Sequence, residues 1–161
     1  MALSSKAGTF NRVLAEMKKL NVPKDDVFLL FGPIDILVRF CKLKNLEQFI
    51  NKWFNPITHI APDEPMIEKT QTFIVISEGK TLAEKPYAFL FLNVRPRTFE
   101  HVQQKLQGIS NVLSVDAVFG PYDLICAVKA SNEEDLRQLI LHIQQEIPPI
   151  QGTMTAIAAS F

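Results

Sequence analysis

Apolar positions along the chain fall into two kinds of run, and the order of those runs repeats once. A helical stripe comes first in each copy: Phe10, Val13, Leu14, Met17 and Leu20, then Phe99, Val102 and Leu106. These spacings place the apolar side chains on one helical face. Thr9 and Thr98 stand directly before the stripes, where a hydroxyl is expected to cap the first turn. Short apolar strands are predicted next, over Val27–Phe31 and Val112–Phe119. Each runs into a matching block, Gly32-Pro33-Ile34-Asp35-Ile36-Leu37-Val38 and Gly120-Pro121-Tyr122-Asp123-Leu124-Ile125-Cys126. The Gly-Pro pair turns the chain back, so a hairpin is expected in both copies.

A second helix follows in each copy, with Leu46, Phe49, Ile50 and Trp53 matched to Leu136, Leu139, Ile140 and Ile143. Proline-bearing loops come after (residues 56–65 and Pro148-Pro149), then a strand with Thr-x-Thr: Thr70 and Thr72, Thr153 and Thr155. Gly32 to Thr70 spans 38 positions and Gly120 to Thr153 spans 33. The difference is placed in residues 55–65, where extra loop length costs little. The second copy opens with an added strand over residues 87–94. In the first copy only residues 1–8 are available for it, so that strand is a stub near residues 2–4 or missing.

Each copy therefore reads β-α-β-β-α-β, and the predicted class is α+β: two tandem ferredoxin-like modules with antiparallel sheets. The first module is assigned to residues 1–76, a polar linker to 77–86 and the second module to 87–161. Right-handed crossovers put both helices of a module on one sheet face. The other face would be polar in a free-standing module, yet Phe89 and Phe91 are apolar as well as Leu90, Leu92 and Val94. The runs Phe73-Ile74-Val75-Ile76 and Leu124-Ile125-Cys126-Ala127-Val128 behave alike. A second apolar face calls for a cover. Sheet-against-sheet packing of the two modules as a pseudo-dimer is the expectation, and pairing with a second chain meets the same need.

Charge narrows the function classes. The 161 residues carry 17 basic and 17 acidic side chains, with no basic cluster to match a phosphate backbone, which argues against direct nucleic-acid binding. The first ten residues do not resemble a signal peptide. No apolar run approaches the roughly 20 residues of a membrane span, so a soluble cytoplasmic protein with no membrane partner is expected. Cys41 and Cys126 both read as reduced and packed in apolar segments. His59, His101 and His142 read as solvated, and Trp53 as core. Metal-ligand spacings, a nucleophile elbow, a P-loop and G-x-G-x-x-G are all missing, so no metal site and no cofactor are expected.

The second copy resembles the ligand-binding (RAM) module of the Lrp/AsnC family. The resemblance is carried by the strand-loop-helix 88–106, by Val112-x-x-Val115-x-x-Val118-x-Gly120-x-Tyr122-Asp123-Leu124, and by Ile150-x-Gly152-Thr153-x-Thr155. The first copy follows the same order but has Ile34 where Tyr is expected. Family members usually carry an N-terminal helix-turn-helix domain. Here Phe10 to Leu20 is a lone helix followed by strands, so this chain is expected to lack that domain.

The resemblance implies sheet-mediated dimers, further homo-oligomerisation, and an amino-acid effector held near the G-x-Y-D turn. It points to Gly120, Tyr122 and Asp123, then to Thr153 and Thr155, with weaker first-copy equivalents at Gly32, Asp35, Thr70 and Thr72. A carboxylate suits an α-ammonium group, turn N–H groups suit an α-carboxylate, and an aromatic ring walls a side chain. Structural roles compete at every position. Glycine permits a tight hairpin, aspartate accepts turn N–H bonds, and threonine suits a strand.

A non-enzymatic small-molecule sensor acting through a partner transcription regulator or enzyme is the leading reading. A dimeric α/β-barrel enzyme is the alternative, set back by the aliphatic and aromatic sheet faces. An oligomerisation scaffold with decayed pockets is the third. ACT modules share the element order but carry glycine between the first strand and helix, where this chain has Arg95-Pro96-Arg97-Thr98.

Overall fold

A computed structural model of the protein describes residues 1–79 and 82–159. Two units are distinguished, Met1–Thr72 and Phe73–Phe161. In the first, β1 (Ala2–Ser5), β2 (Val27–Phe31), β3 (Ile36–Val38) and β4 (Ile67–Gln71) form an antiparallel sheet in the order β4-β1-β3-β2. Helix α1 (Phe10–Lys19) buries Val13 and Met17. The first strand is present, four residues long, and central: Leu3 pairs with Ile36 on one side and Thr70 on the other. Its burial explains why so short a strand holds, since Leu3 is only 1% exposed.

The second helical stretch of this unit has three registers. It runs as α2 (Leu46–Phe49), a π-helical turn over Ile50–Phe54, and α3 (Asn55–Thr58). The buried residues Phe49, Trp53 and Ile57 are spaced four apart. An ordinary α-helix turns about 100° per residue, so two steps of four carry the stripe about 80° off its face. The wider π turn absorbs that drift. Helix thus replaces the loop expected from residue 55, with Pro56 in the first turn of α3, where proline costs least. The expected match of Leu46 with Leu136 also shifts. Asn45 accepts from Gln48 N as Asn132 accepts from Asp135 N, which puts Phe49 in the place of Leu136 and leaves Leu46 exposed.

The second unit contains β5 (Ile74–Ser77), β6 (Ala88–Val94), α4 (Phe99–Gln107), β7 (Val112–Phe119), β8 (Leu124–Val128), α5 (Glu133–Glu146) and β9 (Ile150–Ala158). Its antiparallel sheet has the order β9-β6-β8-β7-β5. Leu90, Leu92, Val102, Leu106, Val115, Leu124 and Ile143 belong to its core. Phe89 and Phe91 on the opposite face of β6 are buried too, at 4% and 0% exposure.

Several expectations change. Thr9 and Thr98 do not cap their helices: the Thr9 hydroxyl donates to the carbonyls of Lys6 and Met66, and that of Thr98 to Arg95. Each hydroxyl has a nearby carbonyl in its own loop and turns back to it. The strand carrying Thr70 closes the first unit as β4, but the apolar run after it, also assigned to the first module, pairs in the second unit, Ile74 with Phe119 and Val75 with Val118. As an edge strand it leaves Ile74, Val75 and Ile76 exposed at 44%, 47% and 58%, not covered on two faces.

Polar bonds fasten this strand. Gln103 Nε2 donates to the carbonyls of Ser77 and Val115, Ser77 Oγ donates to Gln103 Oε1, and Gly79 N donates to Asp116 Oδ1. A side chain at Gly79 would strike the Val115 carbonyl. Of the expected linker, residues 80 and 81 lie outside the described residues, as do 160 and 161 at the end of the second module. Cys126 is buried as expected, but Cys41, just past β3, is exposed.

Candidate functional site

The Gly-Pro-x-Asp turns are built alike in the two units. Val118 N donates to the Asp123 carbonyl (2.9 Å) and closes the β7–β8 hairpin, while Asp123 N donates to the Leu92 carbonyl (2.9 Å) on β6. In the first unit Leu30 N donates to the Asp35 carbonyl (2.8 Å), and Asp35 N donates to the Leu3 carbonyl (3.0 Å). Each aspartate then reaches the end of its neighbouring strand with a carboxylate oxygen. Asp123 Oδ2 accepts from Val94 N at 2.8 Å; Asp35 Oδ2 accepts from Ser5 N at 2.6 Å and Ser5 Oγ at 3.0 Å. Three pairs of equivalent backbone-donor bonds, the longest joining residues 3 and 35 in one unit and 92 and 123 in the other, are what a duplicated module predicts.

These bonds set the local geometry. The strand ends that the aspartates hold lead into the loop before each first helix, so turn and loop are fastened side by side. In the second unit that loop holds Arg95 and Arg97, and neither guanidinium has a carboxylate partner among the described residues. Tyr122 is half-buried with its ring against Phe91 (centroids 5.4 Å apart) and Phe73 (6.3 Å). Phe119, immediately before Gly120, is 72% exposed. A carboxylate and aromatic surface thus meet at one hairpin tip, with the loop that carries Arg95 and Arg97 fastened beside it.

The sequence profile of the Lrp/AsnC ligand binding domain matches residues 87–160, which include the whole of this site except Phe73. This segment of the second unit is thus an Lrp/AsnC ligand binding domain. Among curated proteins it is 26% identical over 85 residues to the HTH-type transcriptional regulator FL11 of Pyrococcus horikoshii and to that of Pyrococcus abyssi. The alignment covers 53% of this chain and 56% of each regulator, so the chain spans about half the length of the curated relatives it matches. Among solved structures, a hypothetical protein of Pyrococcus horikoshii is 31% identical, with 46% of this chain and 88% of that one covered and a TM-score of 0.42. The protein FFRP-DM1 is 32% identical, with 45% and 96% covered and a TM-score of 0.42.

Within the Lrp/AsnC domain the expected site residues divide. Gly120, Tyr122 and Asp123 lie together on the turn. Thr153 and Thr155 do not join them: they pair with Leu92 and Leu90 across β6 and β9, so they share the helix-side face with those core leucines. Gln144 on α5 reaches Thr153 Oγ1 at 3.5 Å, consistent with that side, whereas Tyr122 packs on Phe91 of the other face. In the first unit Thr70 pairs with core residue Leu3, Thr72 lies just beyond β4, and Gly32 and Asp35 lie at the turn. Gly32 has a φ of 150°, a conformation open mainly to glycine, while Gly120 does not have a positive φ.

Arg95, Arg97 and Phe119 are the neighbours that motif reading passes over. The 29-residue separation of Val94 from Asp123 hides the contact. The available signal was the repeat itself, which aligns Lys6 with Arg95, Gly8 with Arg97 and Phe31 with Phe119. Among the described residues no group of three or more His, Cys, Asp or Glu side chains is arranged to hold a metal ion. No helix among them is long and apolar enough to cross a membrane.

Proposed function

We propose that this protein is a regulatory effector-binding protein whose second unit takes an amino acid at the Gly120–Asp123 turn. The carrying observation is the fixed Asp123 carboxylate. Oδ2 is occupied by Val94 N, and the other oxygen has no partner among the described residues. That oxygen suits an α-ammonium group, Arg95 or Arg97 suits the α-carboxylate, and Tyr122 and Phe119 offer apolar wall. The described elements of the first unit, Met1–Thr72, follow the βαββαβ order. DNA contact is therefore assigned to a partner regulator, and self-association to the homo-oligomers expected of this domain. The sheet residues nearest the turn are aliphatic or aromatic, which favours sensing over catalysis.

A thermal-shift screen of the full chain against the twenty amino acids tests this. A ligand at 100 times its dissociation constant stabilises by about 2.7 kcal/mol. The expected result is a selective hit lost in Asp123→Asn, a variant that retains an oxygen for Val94 N. A hit untouched by that substitution removes Asp123 from the site, and a panel without hits moves the reading to an oligomerisation scaffold.

A further inference from the structure

The second helical stretch of the first unit carries two apolar rows rather than one. Phe49, Trp53 and Ile57 form the buried row. Leu46, Ile50 and Phe54 repeat the same spacing of four beside it, and the π turn that keeps the first row straight keeps the second straight as well. This second row is left open. Leu46 is 54% exposed, Ile50 is 37% exposed, and Phe54 is half-buried with its ring 6.1 Å from that of Phe49.

The duplicated module supplies a control. Phe49 takes the place of Leu136, so Leu46 corresponds to Glu133 and Ile50 to Arg137, both exposed. A helix in this position therefore folds with charged, solvated side chains at the two sites. A single exposed aliphatic residue needs no explanation, but neighbouring ones set where the sister helix is charged make a contiguous patch.

Charge defines what the patch can seat. Residues 42–54 hold Lys42, Lys44 and Lys52 against one acidic residue, Glu47. All three lysines are exposed, and none has an ion-pair partner among the described residues. Lys44 is held at the start of α2, its backbone N donating to Gln48 Oε1 at 2.8 Å, and the Lys52 ammonium lies 4.8 Å from the centre of the Trp53 ring. Cations thus border an apolar row one side chain wide. Such a row fits the groove between two ridges of another helix, whereas a lipid surface rewards a broad apolar face.

We infer that the row Leu46–Ile50–Phe54 is a docking ridge for an acidic amphipathic helix of a partner protein. The partner's apolar stripe packs on Leu46 and Ile50, and its carboxylates meet Lys42, Lys44 and Lys52. This surface lies outside the Lrp/AsnC domain and stands whether or not the Gly120–Asp123 turn binds an effector.

The test is titration of the uniformly ¹⁵N-labelled full chain with a synthetic helical peptide of Leu, Ala and Glu, its leucines on one helical face, read by amide chemical shifts. Saturable shifts are expected at Leu46, Ile50 and Lys52, and none at Val94 or Asp123. The same peptide with Lys in place of Glu, and one with its residue order shuffled, are each expected to bind roughly tenfold weaker or less tightly still. Leu46→Glu combined with Ile50→Arg gives the first unit the residues of the second, so the variant keeps the folded spectrum and loses affinity by a similar factor. Lys42→Glu combined with Lys44→Glu is expected to weaken the Glu peptide and strengthen the Lys peptide. Absence of saturable shifts up to about 1 mM peptide overturns the inference, as does wild-type affinity in both variants. Two further outcomes overturn it by naming another occupant. One is self-association of the full chain that Leu46→Glu with Ile50→Arg abolishes, which assigns the row to a second copy. The other is co-sedimentation with phosphatidylserine vesicles that the same variant abolishes, without peptide binding, which assigns it to a membrane.

Discussion

Asp123 and Asp35 do structural work with the side chain to which a ligand role is proposed. One carboxylate oxygen ties the hairpin tip to the end of β6 or β1, and the other is available to a ligand. A carboxylate accepting a partly buried backbone N–H contributes about 1–2 kcal/mol, because its removal leaves that N–H with poorer partners. Asp123→Ala is therefore expected to lower the urea unfolding free energy by about that amount, while Asp123→Asn loses less. Equal stability of Asp123→Ala and wild type would show that water replaces the carboxylate at Val94 N. The aspartates were legible in the sequence as part of a repeated block. Their anchoring was not, since the donors lie 29 and 30 residues away on a strand whose pairing no local pattern specifies.

Element boundaries follow from how apolar residues share a face. In α5, Leu136, Leu139 and Ile143 sit three and four apart and fit an α-helix without adjustment. In the first unit, Phe49, Trp53 and Ile57 sit four and four apart, and the π turn supplies the extra residue. Deleting Asn51, exposed within that turn, restores the three-and-four spacing. The expected result is a folded protein within about 1 kcal/mol of wild type, since the buried set keeps one face. Deleting exposed Gln138 from α5 rotates Ile143 and Ile147 about 100° out of the core, and several kcal/mol of burial are lost. Chemical denaturation of the two deletion variants gives the comparison; similar losses in both would mean the π turn is not what aligns the stripe.

At the scale of the whole chain, apolar surface is distributed between two cores, one per unit, and one edge strand. Edge strands with exposed apolar residues invite pairing with other chains, and a charged residue is the usual guard. Ile74, Val75 and Ile76 lack such a guard. Ile76→Lys changes a residue 58% exposed, so folding stability is expected to stay within about 0.5 kcal/mol. Self-association at high concentration should fall, as light scattering would register. A large stability loss would instead mean that Ile76 is packed in the assembled protein.

Two βαββαβ copies, the turn that joins strands two and three in each, and the likeness of the second copy to the Lrp/AsnC domain are legible in the chain. These follow from local quantities: apolar periodicity, turn-forming Gly-Pro pairs and a motif within one hairpin. Where the units divide, which strand β5 pairs with, that Thr153 and Thr155 face away from the turn, and that the loop of Arg95 and Arg97 is fastened to it emerge only from the folded chain. Those outcomes depend on strand register and on hydrogen bonds between residues far apart in the chain, where a shift of one position reverses every side chain and leaves composition unchanged.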